Sequence, residues 1–413
     1  MLYTALRVLA RCWPALLAWF LLGWTLRALI IRLAAFVGNA SDLFGLLILP
    51  LAILAQLAAF IGMYLAVRRE LPHLGRVDDV ETGEAAPATG RRWRETLLAA
   101  ILPFFLVYVA WNLIRTDLLD YFGSALGQAD LLGGGNVANV SIPLSVMTAT
   151  LVVVAFGLRW LLGRFAARLP RWTTAVSSYL EAVWVLVLLL VIQDLVAQIP
   201  PWLATRRMFA WVVDGWAGIV DSLPWLGTVG EVVGWTLGQT GTLIALPLAW
   251  LAIASIIYFG TMPRSTRPAP ANLAKASERW SRMPVWLRRI GATASAGLVD
   301  RWGPVALAAR LIWRSGPLAL GTYLLAFAVV TAAGTWLSLL IYRLLGPHDT
   351  GWWFGASDVV ELAVSAITGV LQVCVVAAAF DHALRSDEAE KLVDDAGDVV
   401  SSAAAPAAEQ PTS

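Results

Sequence analysis

Charge is scarce in this chain. Asp, Glu, Lys and Arg make up only 14% of its 413 residues, roughly half the share found in soluble domains. Lysine is nearly absent, since Lys275 and Lys391 are the only two among 30 cationic side chains. A net charge of +2 is too small to hold a polyanion, so nucleic acid is excluded as a partner. Cysteine is limited to Cys12 and Cys374, both in apolar surroundings, so no disulfide framework exists and both read as small buried hydrophobes. The three histidines, His73, His348 and His382, stand apart from each other and from the cysteines. No metal-ligand spacing results, and no cofactor motif accompanies them. The Gly-x4-Gly-Lys, Gly-x-Ser-x-Gly and His-Glu-x2-His signatures are all missing.

What is abundant is apolar sequence. Hydrophobic residues reach 59% and the mean hydropathy is +0.71, far more than a water-facing fold could hide. A helix needs about 20 apolar residues to cross a hydrocarbon layer about 30 Å thick. Eight stretches are expected to do so, at roughly 12–34, 44–67, 96–114, 143–162, 175–197, 241–260, 316–341 and 359–380. No period-2 alternation persists over ten-residue segments, which argues against a membrane β-barrel. The expected class is an all-α, polytopic membrane helix bundle occupying residues 1–385, with an acidic and then Ala/Pro/Ser-rich tail at 386–413 that reads as largely disordered.

Cation placement orients the spans. With the N-terminus inside, the segments 1–11, 68–95, 159–174, 264–314 and 381–413 carry 24 of the 30 Lys and Arg. Such asymmetry is what the positive-inside rule requires, and eight spans put both termini in the cytoplasm. Arg7 and Arg11 before the run from Cys12 resemble a signal-peptide start, but no small-x-small cleavage site follows, so the segment reads as an uncleaved first span. The arginine bias points to a GC-rich bacterial genome, and hence to the inner membrane. The sequons at Asn39 and Asn139 then carry no meaning.

Internal similarity is visible. Leu49-Pro50-Leu51-Ala52 in span two matches Leu246-Pro247-Leu248-Ala249 in span six, and Ile142-Pro143-Leu144 in span four is a weaker copy. Arg7, Arg11 and Pro14 share their spacing with Arg310, Arg314 and Pro317. Repeated helical hairpins of one orientation would produce this, as would the plain preference of proline for helix starts.

Two segments read as interfacial helices. In 203–222, Arg207, Asp214 and Asp221 recur every seven residues, while Met208, Phe209, Trp211, Val212, Trp216 and Val220 cover the rest, so the helix should lie flat on the outer surface. In 276–290, Trp280 and Trp286 mix with Arg279, Arg282, Arg288 and Arg289, a composition suited to anionic lipids of the cytoplasmic face. The 21 tryptophans fit an aromatic belt. Gly227, Gly230, Gly234, Gly238 and Gly241 form one smooth helix face on which a neighbouring helix could pack closely.

Ionisable groups within spans are the usual marks of transport. Here the candidates are Arg27 and Arg32 in span one, Glu181 and Asp194 in span five, and Glu361 in span eight. Equal distances from the inner ends of spans one and five place Arg27 and Asp194 at similar depth, so the expectation is an Arg27–Asp194 ion pair. Glu181, three to four turns deeper, is then without a cation at its level and is expected to be protonated. His73 and Asp78 have the His-x4-Asp spacing of glycerolipid acyltransferases, but the loop holding them is too short for such a domain. The residues favour a structural or accessory subunit that contacts lipid and a membrane-protein partner. The alternatives are a permease or channel for a small or apolar solute and a lipid-modifying enzyme of unfamiliar type.

Overall fold

The structure is a computed structural model, and the residues it describes are 1–74, 113–128, 146–165, 173–208, 224–261 and 315–404, with 100, 101, 103–105, 107, 108, 211, 215, 220 and 222 between them. Nearly all of these are helical, and no strand occurs among them. Six helical stretches of the described residues are long and apolar enough to cross a bilayer: Leu2–Ala40, Asp42–Arg68, Ala175–Ala204, Gly227–Phe259, Pro317–Leu345 and Thr350–Ser386. They coincide with six of the eight expected spans. The expected span at 143–162 forms the helix Val146–Arg164, whose apolar part, Thr150–Leu162, is shorter than the others. Much of the expected span at 96–114 lies outside the described residues.

The chain divides into two compact units, one made of 14–66 and 87–262 and the other of 1–13, 67–86 and 263–413. Most of α1 (Leu2–Ala40) and α2 (Asp42–Arg68) lies in the first unit, where the two form an antiparallel hairpin that reverses at Ser41. The hairpin is tight because glycine sits where backbones meet: a Cβ on Gly23 would collide with the Ala59 side chain, and one on Gly62 with the Trp19 ring. Helix α3 (Leu113–Gln128) follows on the chain. Its buried residues Ile114, Asp117, Tyr121 and Ala125 are spaced 3, 4 and 4 apart, so they make a single stripe. That stripe closes a cluster with Ile31, Ala34, Ala35, Leu49 and Ala52 of the hairpin. The segment after span three, which reads as a connecting loop, is therefore a packed helix.

Helices α4 (Val146–Arg164) and α5 (Thr173–Ala204) pack antiparallel, joined by Ala155, Val183 and Val187 and by the edge-on contact of Phe156 with Trp184. Helix α6 (Pro224–Thr240) continues through a single π turn, Gly241–Ala245, into α7 (Leu246–Thr261). There the Leu246 N–H donates to the Gly241 carbonyl, five residues back. The wider turn precedes Pro247, whose ring would clash with the carbonyl four residues earlier in a regular helix. Phe60 meets Trp250 and Tyr64 meets Tyr258, so α2 and α7 run in the same direction. The two helices carrying the Leu-Pro-Leu-Ala repeat are thus parallel.

The second unit contains α8 (Pro317–Leu345) and α9 (Thr350–Ala404). Their connection has a separate physical reason at each step. Gly316, at φ 87°, allows the turn into α8 and Pro317 starts it; Gly346, at φ 73°, ends it while donating its N–H to the Tyr342 carbonyl. Asp349 then accepts the Trp352 N–H through Oδ2 at 3.1 Å and caps α9. Helix α9 runs on through Ala404, into the 386–413 tail, and 405–413 lie outside the described residues. Between Ser386 and Ala404 the tail is rich in Ala, Glu and Asp and contains no proline until Pro406, so nothing in it stops the helix.

At Gly334 helix α8 approaches α9 closely. A Cβ there would stand 2.5 Å from Thr368 Cγ2, whereas one on Gly321 would meet nothing within 4 Å. Gly334→Ala is accordingly expected to cost about 1–3 kcal/mol by overpacking, and Gly321→Ala to be neutral or slightly stabilising. Thermal unfolding in detergent checks the pair, and equal melting temperatures would contradict the packing described.

Candidate functional site

Three buried carboxylates and one open polar groove hold the notable chemistry. The first carboxylate is Asp117, on the buried stripe of α3 and 3% exposed. Arg27 of α1 donates to its Oδ1 through both Nε, at 2.8 Å, and Nη2, and also donates from Nη2 to Asp120 Oδ2 at 2.7 Å. The Tyr108 hydroxyl donates to Asp117 Oδ2 at 2.6 Å. Both oxygens of Asp117 are thereby engaged, and the planar guanidinium spans two carboxylates separated by one helical turn. Beside Asp117 lies a cavity walled by apolar side chains that include Leu46, Leu49, Ile114, Leu186 and Leu190.

This cluster corrects the expected Arg27–Asp194 pair. Asp194 is exposed and accepts from the Gln198 amide at 3.0 Å, one turn along its own helix. The depth argument fails because it compares only spans and leaves out a non-spanning helix. Hydropathy places Asp117 and Asp120 in an outer loop, yet α3 brings them back to Arg27. Two carboxylates three residues apart, directly after an apolar run, are the available signal. Arg32 is exposed, and its backbone carbonyl accepts from Gln128 Nε2 at 3.4 Å.

The second carboxylate, Glu181, is 1% exposed on α5 and forms an ion pair with Arg159 Nε of α4. The expectation that Glu181 has no cation at its level is therefore wrong. By sequence Arg159 sits at the inner edge of the expected span 143–162, where it counts among the inner cations. In the structure it is still within α4, whose antiparallel run sets it opposite Glu181.

Asp381, the third, is 5% exposed near the end of the apolar part of α9. Its Oδ1 accepts the backbone N–H groups of His73 at 3.0 Å and Leu74 at 3.2 Å, and the His73 ring nitrogen lies 3.8 Å from Oδ2. The carboxylate thus caps a short turn distant in sequence, a role that no local pattern announces. The carboxylate facing His73 is this one; Asp78 lies outside the described residues. Asp381→Ala should leave both amides unsatisfied, at about 1–3 kcal/mol. Hydrogen exchange at His73 and Leu74 should accelerate on the order of tenfold or more, and unchanged protection would refute the capping role.

The groove lies between α8 and α9. Thr331, Thr335, Ser338 and Tyr342 line it from one helix, and Glu361, Ser365, Thr368 and Gln372 from the other, with Gly334, Val360 and Val364 between them. Its hydroxyls bond mostly to their own helices, as Thr331 does to the Phe327 carbonyl at 3.0 Å and Thr368 to that of Val364 at 2.9 Å. One bond crosses, from Gln372 Nε2 to Thr331 Oγ1 at 3.4 Å. Above the groove, Tyr342, Trp353, Trp352 and His348 form a continuous aromatic group, with the His348 and Trp352 rings stacked at 4.1 Å.

The remaining sequence candidates fare unevenly. Trp211 is exposed, and the Arg206 guanidinium lies over the Trp202 ring, but Phe209, Val212, Asp214, Trp216 and Asp221 lie outside the described residues, as do Trp280, Trp286, Arg282, Arg288 and Arg289. The glycine face of α6 packs on no helix among the described residues. A Cβ on Gly227 would meet only the Val220 side chain, at 2.8 Å, and one on Gly234, Gly238 or Gly241 would meet no atom within 4 Å. Gly230 is exposed as well. The reason is that α6 stands clear of neighbours from Thr228 to Trp235, where every residue is exposed. Cys12 and Cys374 are buried and form no disulfide with each other. Among the described residues no group of three or more His, Cys, Asp or Glu side chains could hold a metal ion.

No family model matches the chain, and no curated protein or solved structure is significantly similar to it. Its class rests on its own helices: the described residues are helical, and six stretches long and apolar enough to cross a bilayer fit a multi-pass membrane protein.

Proposed function

We propose that this chain is a structural or accessory subunit of the bacterial inner membrane, with eight spans and both termini cytoplasmic. The observation that carries this reading is the use made of its buried carboxylates. Asp117, Glu181 and Asp381 are each engaged by another group of the chain, and the cavity beside Asp117 has apolar walls. Ionisable groups that serve transport must be free to exchange partners with a solute or proton along a polar path. Groups locked to one another instead fix helix positions. Trp280, Trp286, Arg282, Arg288 and Arg289 would seat the inner loop on anionic lipid, and Trp211 and Trp216 would anchor the outer one.

A second reading, a permease or channel for a small or apolar solute, draws on the polar groove between α8 and α9. Purification from native membranes in mild detergent, with mass spectrometry of protein and lipid, separates the two. The accessory reading expects one membrane protein at fixed molar ratio together with enriched anionic lipid. Ion current through planar bilayers containing only this chain would overturn it. The topology has its own test. Cysteines placed at Gly134 and Gly218 should react with an impermeant thiol reagent in intact cells, while one at Thr82 should not.

A further inference from the structure

The groove between α8 and α9 has a regularity that a lipid-facing surface does not require. On α8 its polar positions 331, 335, 338 and 342 are spaced 4, 3 and 4. On α9, positions 361, 365, 368 and 372 are also spaced 4, 3 and 4. That is the a/d stripe by which helices face the axis of a coiled-coil-like bundle. The helices run antiparallel, with Tyr342 against Trp353 and Thr331 against Gln372, so both stripes open on the same side. A hairpin presenting two such stripes is half of a four-helix bundle.

Depth sharpens the point. Glu361 lies 20 residues before Asp381, about 30 Å along the helix and thus one hydrocarbon thickness. Gln372 lies 11 residues below Glu361, near the bilayer centre, where a half-buried amide facing acyl chains is costly. No headgroup reaches that depth, whereas another helix with matching polar groups would cover it. Hydroxyls and amides both donate and accept, and a surface of such groups is complementary to itself across a two-fold axis. Exposed Arg343 on α8 and exposed Asp358 on α9 lie toward the same end of the hairpin, so opposite charges are available between two copies.

We propose that the α8–α9 hairpin docks with the same hairpin of a second copy of this chain, forming a four-helix bundle with a polar axis centred on Gln372. The inference goes beyond the accessory role and holds or fails separately from it. Across the two-fold axis the Gln372 amides bond to each other, Ser365 and Thr335 face their counterparts, and the two Glu361 carboxylates meet at the outer water boundary. The first contact holds the dimer together and the last opposes it.

Single cysteines introduced at Ser365, Thr335 and Leu325, in a Cys12→Ala, Cys374→Ala background of the full chain in liposomes, test this by oxidative crosslinking. Ser365→Cys and Thr335→Cys should give covalent dimers, and Leu325→Cys, on the exposed outer side of α8, should not. Energy transfer between labelled copies reads the association constant. Gln372→Leu should lower it about 3- to 30-fold, as loss of an interhelical hydrogen bond would. Glu361→Gln should raise it, an effect that misfolding would not produce. Crosslinking strongest at Leu325, a Gln372→Leu variant that associates as well as the parent, or a different protein crosslinked to Ser365 in native membranes would each overturn the proposal.

Discussion

Arg27→Leu should lower the melting temperature of the detergent-solubilised protein by roughly 10 °C, the largest single loss expected in the first unit. Asp117, whose side chain is 4% exposed, would keep only the Tyr108 hydroxyl as a partner. Removing one member of a buried, hydrogen-bonded pair costs about 3–5 kcal/mol, because the remaining charge has no solvent to return to. Arg27→Lys should recover part of this loss and no more. An ammonium places a point charge near Asp117 but lacks the planar fork that reaches Asp117 and Asp120 together. The double variant Arg27→Leu, Asp117→Leu should be closer to the parent than Arg27→Leu alone, since neither charge is then stranded. Should Arg27→Leu melt with the parent, the cluster is an incidental contact and plain snorkelling accounts for Arg27.

The second large effect is expected at the α4–α5 contact. Arg159→Met should destabilise by a few kcal/mol, discounted because Arg159 retains 27% of its side-chain exposure and so keeps some hydration. Glu181→Met should cost less, since the arginine left behind can turn toward headgroups while Glu181 itself sits at 1%. The informative quantity is the coupling between the two. If the pair fixes α4 against α5, the double variant is more stable than the sum of the singles by more than about 1 kcal/mol. Strict additivity, measured by reversible unfolding in mixed micelles, would mean that Phe156, Trp184 and the valines hold the contact without the ion pair.

These pairs show where sequence reading stops. Six apolar helices are legible because hydropathy summed over twenty residues is a strong local signal, and the bilayer leaves a backbone only one way to cross it unaided. The parallel run of α2 and α7 is legible through the Leu-Pro-Leu-Ala copies. The turn into α9 carries local signals too, in Gly346, Pro347 and Asp349. Each of these properties depends on neighbours within a few turns of the chain.

Partner choice is decided elsewhere. Arg27 stands out in the sequence as a buried cation, but its partners lie 90 and 93 residues away on a helix too polar to count as a span. Glu181 stands out as anomalous, but its arginine reads as an ordinary cation at the inner edge of span four. Asp381 gives no signal at all, because a carboxylate at the end of a span looks like any solvated boundary residue until its backbone partners, 308 and 307 residues away, are seen. The groove between α8 and α9 is hidden for a similar reason: serine and threonine inside a span pass unremarked, since each can bond to its own helix, and only the antiparallel pairing lines them up on one side. Sequence alone thus determined the membrane class, six of the helices and which charges were out of place. The tertiary structure alone decided which opposite charge answers each one, because ion pairing depends on separation in space, and hydropathy along a chain does not encode it.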